Sequence, residues 1–224
     1  MPIVLTREPI AYYSTPKIAS TSIKTALYEL EHGVPFQPRQ DAVGKWWHIH
    51  NTWLPKEPTP FKPLPNPVSY FKFCVTRDPI IRFLSAYGNR VHHHKELSPA
   101  IIEANPRARE LNLSPDPDID TFVIRLADYC EISHIIHHHV RPQADYLGES
   151  LGYYDRAYEF SELAKLTDDL SKIIRRPFIL SHMQKGGPKL KSEVLTADHM
   201  RKLTDFYARD YALMRRYDSP LTTA

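Results

Sequence analysis

Apolar residues recur along the chain in two periods, and the switch between them marks the elements. Ile10-Ala11-Tyr12-Tyr13-Ser14 is a short apolar and aromatic run stopped by Thr15-Pro16, the pattern of a buried strand. After it, Ile23, Ala26, Leu27 and Leu30 fall on one face at helical spacing; Ser20, Thr21 and Ser22 offer N-cap hydroxyls and Gly33 closes the helix. The same order returns later. Val68 to Val75 reads as the best strand in the sequence, Asp78 serves as an N-cap, and Pro79 takes the first helical position. Ile80, Phe83, Leu84 and Tyr87 then follow i, i+3, i+4, i+7. Shorter strands are expected at Trp46–Trp53, Ala157–Phe160 and Phe178–Leu180, and helices near Asp120–Tyr129, Phe160–Ile174 and Ala197–Tyr217. Pro55, Pro58, Pro60, Pro63, Pro65 and Pro67 make the stretch between them an extended loop. No internal repeat is visible. Strands alternating with helices predict an α/β fold, a mostly parallel sheet flanked by helices, in which ligands sit at the carboxyl ends of strands. A chain of 224 residues is read as one domain, 1–224.

Composition narrows the partners. The net charge is +3, from 29 basic and 26 acidic residues, far from the basic stripe of a nucleic-acid binder but compatible with a local pocket for a small anion. Cys74 and Cys130 are too few for a disulfide framework and lack metal-ligand spacing, so both are expected to be reduced and buried. No basic stretch followed by an apolar run opens the sequence, which predicts a cytoplasmic protein without a membrane span.

Both strand-to-helix junctions carry unusual chemistry. The first is Pro16-Lys17-Ile18-Ala19-Ser20-Thr21-Ser22-Ile23-Lys24. A helix N-terminus presents free backbone N–H groups and partial positive charge, Lys17 adds a full charge, and three hydroxyls can donate further. An ordinary capped helix behind a surface lysine fits the spacing equally well. The junction departs from the glycine-rich nucleotide loop ending in Gly-Lys-Ser/Thr, since its lysine leads and it has no glycine. The second junction is Val75-Thr76-Arg77-Asp78-Pro79-Ile80-Ile81-Arg82-Phe83-Leu84-Ser85. Arg77 ends a buried strand, where a charge calls for an anion or a structural carboxylate.

In order and separation the two junctions resemble the donor-binding motifs of carbohydrate sulfotransferases that use 3′-phosphoadenosine 5′-phosphosulfate (PAPS), among them the heparan and uronyl 2-O-sulfotransferases. The resemblance covers the first ninety residues. It implies that Lys17, Ile18, Ala19, Ser20, Thr21 and Ser22 hold the 5′-phosphosulfate, with Lys17 also stabilising the leaving oxygen. It implies that Arg77 and Ser85, eight residues apart, grip the 3′-phosphate, a task suited to the planar fork of arginine. Asp78 and Arg82 recur in the family pattern and are read as a helix cap and a structural ion pair. Val140-Arg141-Pro142-Gln143 and Phe206-Tyr207-Ala208-Arg209-Asp210-Tyr211 are also similar to family segments. So is the late basic run Gln184-Lys185-Gly186-Gly187-Pro188-Lys189, where Lys185 is a candidate for the 3′-phosphate and a solvated basic turn is the plain alternative.

The sequence has 12 histidines, and the runs His92-His93-His94 and His137-His138-His139 make poor metal cages, because adjacent side chains on a helix diverge. No metal is expected. His48-Ile49-His50 differs: in a strand both rings would face one side. A surface pair beside tryptophans is the plain reading. The resemblance implies instead that the pair lies at the acceptor hydroxyl, with His50 as general base and His48 orienting it. The expected activity is sulfuryl transfer from PAPS to a carbohydrate-like hydroxyl. The rivals are a metal-dependent kinase with an unusual phosphate loop, and a non-catalytic protein that binds adenosine 3′,5′-bisphosphate or a sulfated glycan.

Overall fold

The computed structural model describes residues 2–41, 43–44, 46–53, 61–181 and 186–218, the last three as backbone alone. Its strands are β1 (Ile3–Val4), β2 (Ile10–Tyr13), β3 (Arg39–Gln40), β4 (Trp46–Trp47), β5 (Phe71–Thr76) and β6 (Arg156–Glu159). Its helices are α1 (Ser20–His32), α2 (Pro79–Tyr87), α3 (Pro99–Ala104), α4 (Pro106–Glu110), α5 (Ile119–Ile124), α6 (Leu126–Ile132), α7 (His134–Val140), α8 (Ala144–Leu147), α9 (Leu163–Ile174), α10 (Ala197–Phe206) and α11 (Ala208–Asp218). They gather into two compact units, one within 1–76, 143–184 and 216–224, the other within 77–142 and 185–215.

The first unit is the sheet. Its order is β1-β2-β5-β6, with β1 antiparallel to β2 and the pairs β2–β5 and β5–β6 parallel, so the expected mostly parallel sheet is present. Register explains the burial. Tyr12 lies opposite Phe73, and Val75 opposite Tyr158, so these side chains share a face. On that face they pack against Ile23, Leu27 and Leu30 of α1 and Leu166, Leu170 and Ile174 of α9. On the other face Tyr13 contacts the rings of Phe61, Tyr153 and Tyr154. Covered on both faces, β5 needs an unbroken apolar run, and Phe73, Cys74 and Val75 are fully buried.

Several boundaries differ from the pattern-based expectation. Pro67–Ser69 forms a 3₁₀ turn, leaving Val68 exposed and starting β5 at Phe71. The strand expected over Trp46–Trp53 ends at Trp47; β4 pairs with β3, and the chain turns at Ile49–Asn51. Phe178–Leu180 is not a strand; the Phe178 amide donates to Ser171 Oγ instead. The helices expected over Asp120–Tyr129 and Ala197–Tyr217 break at Arg125 and Tyr207. Cys74 and Cys130 are both free thiols, the first buried and the second half-buried.

The second unit is helical, with its own core. Phe83 of α2 stacks on Phe122 of α5, and Leu84, Tyr87, Tyr129, Leu203 and Tyr207 complete the packing. Within this core Arg82 is fully buried. It is not half of an ion pair. Its guanidinium donates to the carbonyls of His139 (3.0 Å), Val140 (3.2 Å) and Arg141, where α7 ends, and lies 5.6 Å over the Tyr207 ring. Helix C-termini leave carbonyls unmet and carry partial negative charge, so a buried cation serves there in place of a carboxylate partner. Tyr207 also donates to the Val140 carbonyl.

Arg82→Met keeps most of the volume but strips the guanidinium donors from the carbonyls of His139 and Arg141, while Val140 keeps Tyr207. It should lower unfolding stability by about 3 kcal/mol, measured by urea denaturation, since each unmet buried acceptor costs about 1–3 kcal/mol.

Candidate active site

The loop after β2 is held by Ile18, which is fully buried in the core shared with α1 and α9. On either side of it, Lys17 (φ 67°) and Ala19 (φ 50°) occupy the left-handed region. For residues with a Cβ this costs roughly 1–2 kcal/mol each, and no glycine relieves it. Left-handed residues beside right-handed ones turn successive amides toward one point, a concavity suited to an anion. α1 then starts at Ser20 with Ala19 as its N-cap, and Ala19 supplies no capping side chain. The expected cap by Ser20, Thr21 and Ser22 is therefore corrected: all three hydroxyls lie in the first turn of the helix. Ser20 and Thr21 are buried, Ser22 and Lys17 half-buried.

The histidine pair meets this helix. His48 is extended and precedes the 3₁₀ turn, and its Nδ1 accepts from the His50 amide at 3.4 Å. The two rings stack with centroids 5.0 Å apart. They share a side through the turn, not through a strand pleat, and Ile49 between them is buried. His50 Nε2 lies 3.1 Å from Thr21 Oγ1, and its Nδ1 lies 3.2 Å from Lys24 Nζ. Lys24 was not singled out by the sequence pattern. Its signal was its place three residues after Thr21, which puts both on one helical face. Burial lowers its ammonium to about 8.

Arg77 and Ser85 belong to the second unit, and each is half-buried. Burial, and then the charge of Arg82, push the Arg77 guanidinium below its usual range, while Asp78 opposes them. Asp78 Oδ1 accepts from the Ile81 amide at 2.9 Å, so the expected cap is present. Lys185 and Gln184 lie outside the described residues. The segment just after them is tightly placed. Gly187 has φ 82°, and a Cβ there would come within 2.2 Å of the Gly88 carbonyl, so two backbones pass each other at the end of α2.

Elsewhere, His134 stacks on His138 one turn apart on α7, and His93 meets His94 edge-on. Among the described residues, no three histidines, cysteines or carboxylates are grouped as metal ligands.

Comparison with known proteins bears on this arrangement. The sequence profile of the sulfotransferase family matches residues 2–217, both junctions and the histidine pair included. The chain belongs to the sulfotransferase family. Searches among curated proteins and among solved structures returned no match. In the first unit of this sulfotransferase the loop carrying Lys17 leads into α1, and the His50 imidazole is held beside that helix. Among the described residues, no helix of this sulfotransferase is long and apolar enough to cross a membrane.

The strain at Ala19 can be measured. Ala19→Gly removes the Cβ penalty of the left-handed backbone and should raise unfolding stability by about 1 kcal/mol, read from a denaturation midpoint at unchanged slope.

Proposed function

We propose that the chain transfers a sulfuryl group from PAPS to a hydroxyl of a carbohydrate-like acceptor, as a single catalytic domain over 1–224. Lys17, Ile18, Ala19, Ser20, Thr21 and Ser22 would receive the 5′-phosphosulfate; Arg77 and Ser85, with Lys185 from the late basic loop, would receive the 3′-phosphate. These roles come from the family motifs. The observation that carries the proposal is the 3.1 Å approach of His50 Nε2 to Thr21 Oγ1. It brings a candidate base to the helix whose N-terminal loop would hold the reacting group.

The chemistry follows from that placement. A neutral hydroxyl is a weak nucleophile, and a positioned base contributes about 10²–10⁴-fold in rate. As the acceptor oxygen bonds to sulfur, the bond from sulfur to the phosphate oxygen breaks and charge grows on that oxygen. Lys17 and the amides of the loop would meet this charge, an interaction stronger in the transition state than in the ground state. An exposed indole at Trp46, two residues before His48, supports a sugar acceptor, because it offers a broad apolar face with a polar edge.

Adenosine 3′,5′-bisphosphate should bind in the presence of chelator at least tenfold more tightly than adenosine 5′-monophosphate, because each charge-assisted hydrogen bond to the 3′-phosphate contributes about 1.5–3 kcal/mol. Calorimetry with both nucleotides checks this, and equal affinities would remove Arg77 and Ser85 from the donor site. Turnover is to be assayed with radiolabelled PAPS and a panel of glycans, lipids and small alcohols. Lys17→Ala should lose far more rate than nucleotide affinity. His50→Ala should lose at least tenfold in turnover with normal bisphosphate binding, and near-full activity across a pH series would remove His50 as the base.

A further inference from the structure

We propose that Lys24 governs the base: its amine must be neutral, and able to accept the Nδ1 proton of His50, before His50 can take the acceptor proton at Nε2. This rests on His50 being the base, and it assigns Lys24 as the residue that positions the proton on that ring.

Both ring nitrogens of His50 have partners on one face of α1, Thr21 Oγ1 at 3.1 Å from Nε2 and Lys24 Nζ at 3.2 Å from Nδ1. An ammonium has three donors and no acceptor. While Lys24 is charged, Nδ1 must present its lone pair, so the proton of the neutral ring sits on Nε2 and points at Thr21. That tautomer has no lone pair where an acceptor hydroxyl would arrive. A neutral amine reverses the bond. Nδ1–H then donates to Nζ, and the Nε2 lone pair faces the position that Thr21 Oγ1 holds. An acceptor hydroxyl taking that position gives its proton to Nε2, and the Nδ1 proton passes to Nζ, which becomes ammonium. The oxygen's electron pair bonds to the sulfur of PAPS, and the pair of the broken sulfur–oxygen bond stays on the departing phosphate. The ammonium then returns its proton to solvent.

Burial brings Lys24 into the range where this switch operates, lowering its ammonium to about 8. Other titratable groups stand on the surrounding elements. His48 stacks on His50 from the turn, and Arg39 of β3 lies over the Trp47 ring beside it. On α1, Tyr28 and His32 follow Lys24 at successive turns, with Glu29 and Glu31 beyond, and Glu31 is held by the amides of Thr6 and Arg7. Lys17 stands in the loop that leads into the helix.

The test uses the full chain labelled with ¹⁵N on histidine, and long-range proton–nitrogen spectra from pH 6 to 9.5, with His50 assigned by its loss in His50→Gln. The wild type should carry the ring proton on Nε2 at pH 7 and on Nδ1 at pH 9. Lys24→Met should abolish this change, and Lys24→Arg, which keeps its charge, should hold the Nε2–H form throughout. A single tautomer from pH 7 to 9 in the wild type overturns the proposal even if a variant fails to fold. In parallel, kcat/KM is followed over the same pH range with PAPS and a desulfated heparan oligosaccharide. Wild-type kcat/KM should rise about tenfold per pH unit up to about pH 8. The limb should fall by at least one unit in Lys24→Met, toward the ~6.5 of an ordinary histidine, and Lys24→Arg should be at least tenfold slower at pH 9. An unmoved limb in Lys24→Met, with or without weaker bisphosphate binding, overturns the role of Lys24. Retained activity in His50→Ala instead overturns the base assignment beneath it, so the two failures are told apart.

Discussion

The burial of Ile18 is the constraint on which the candidate site depends. One apolar side chain, sunk between the sheet and the helices α1 and α9, fixes the loop that follows β2. Fully burying an isoleucine contributes about 1.5–3 kcal/mol. Two left-handed residues with Cβ atoms cost a comparable amount. The anchor and the strain are therefore of similar size, and the buried Ile18 holds the two strained residues in place. A glycine-rich loop would reach the same backbone without strain but would leave more freedom to be lost on binding.

The helix that follows acts as a ruler. Ala19 ends the loop and α1 begins at once, so Thr21 and Lys24 stand one turn apart on the same face. The turn at Ile49–Asn51 lies against α1 and brings His50 to both side chains. Neither histidine needs a strand to share a side with the other. The stack of the two rings and the amide bond to His48 Nδ1 give the pair an orientation of its own.

What the sequence revealed followed from local rules. β2, α1, the Asp78 cap and the proline at the start of α2 depend on short-range periodicity and capping, and they were legible. The helical region from Leu97 to Val140 was mostly missed, because its helices are short and their apolar residues face a core assembled from distant segments. The structural ion pair expected of Arg82 fails because its carbonyl partners lie about sixty residues on and have no sequence signal. Likewise, nothing in Lys24 alone marks it. It gains significance only when a turn twenty-six residues later brings His50 to it. Lys17, Arg77 and Ser85 stand out in the sequence only through the family resemblance, whereas the burial that acts on Arg77 together with Arg82 comes from tertiary structure.

Arg77 and Arg82 show how two arginines of one motif divide their work. Five residues apart, they meet different environments in the helical unit. Arg82 is wholly buried and answered by the carbonyl end of α7, where a partial negative charge spread over several oxygens matches a delocalised guanidinium. Its field reaches Arg77, which burial already disfavours as a cation, and the two effects act in the same direction. Asp78 opposes them, but its carboxylate is also committed to the Ile81 amide at the start of α2. A phosphate dianion arriving at Arg77 would offset both the burial and the repulsion from Arg82. Replacing Arg82 by a neutral residue would relieve that repulsion at Arg77 while weakening the fold.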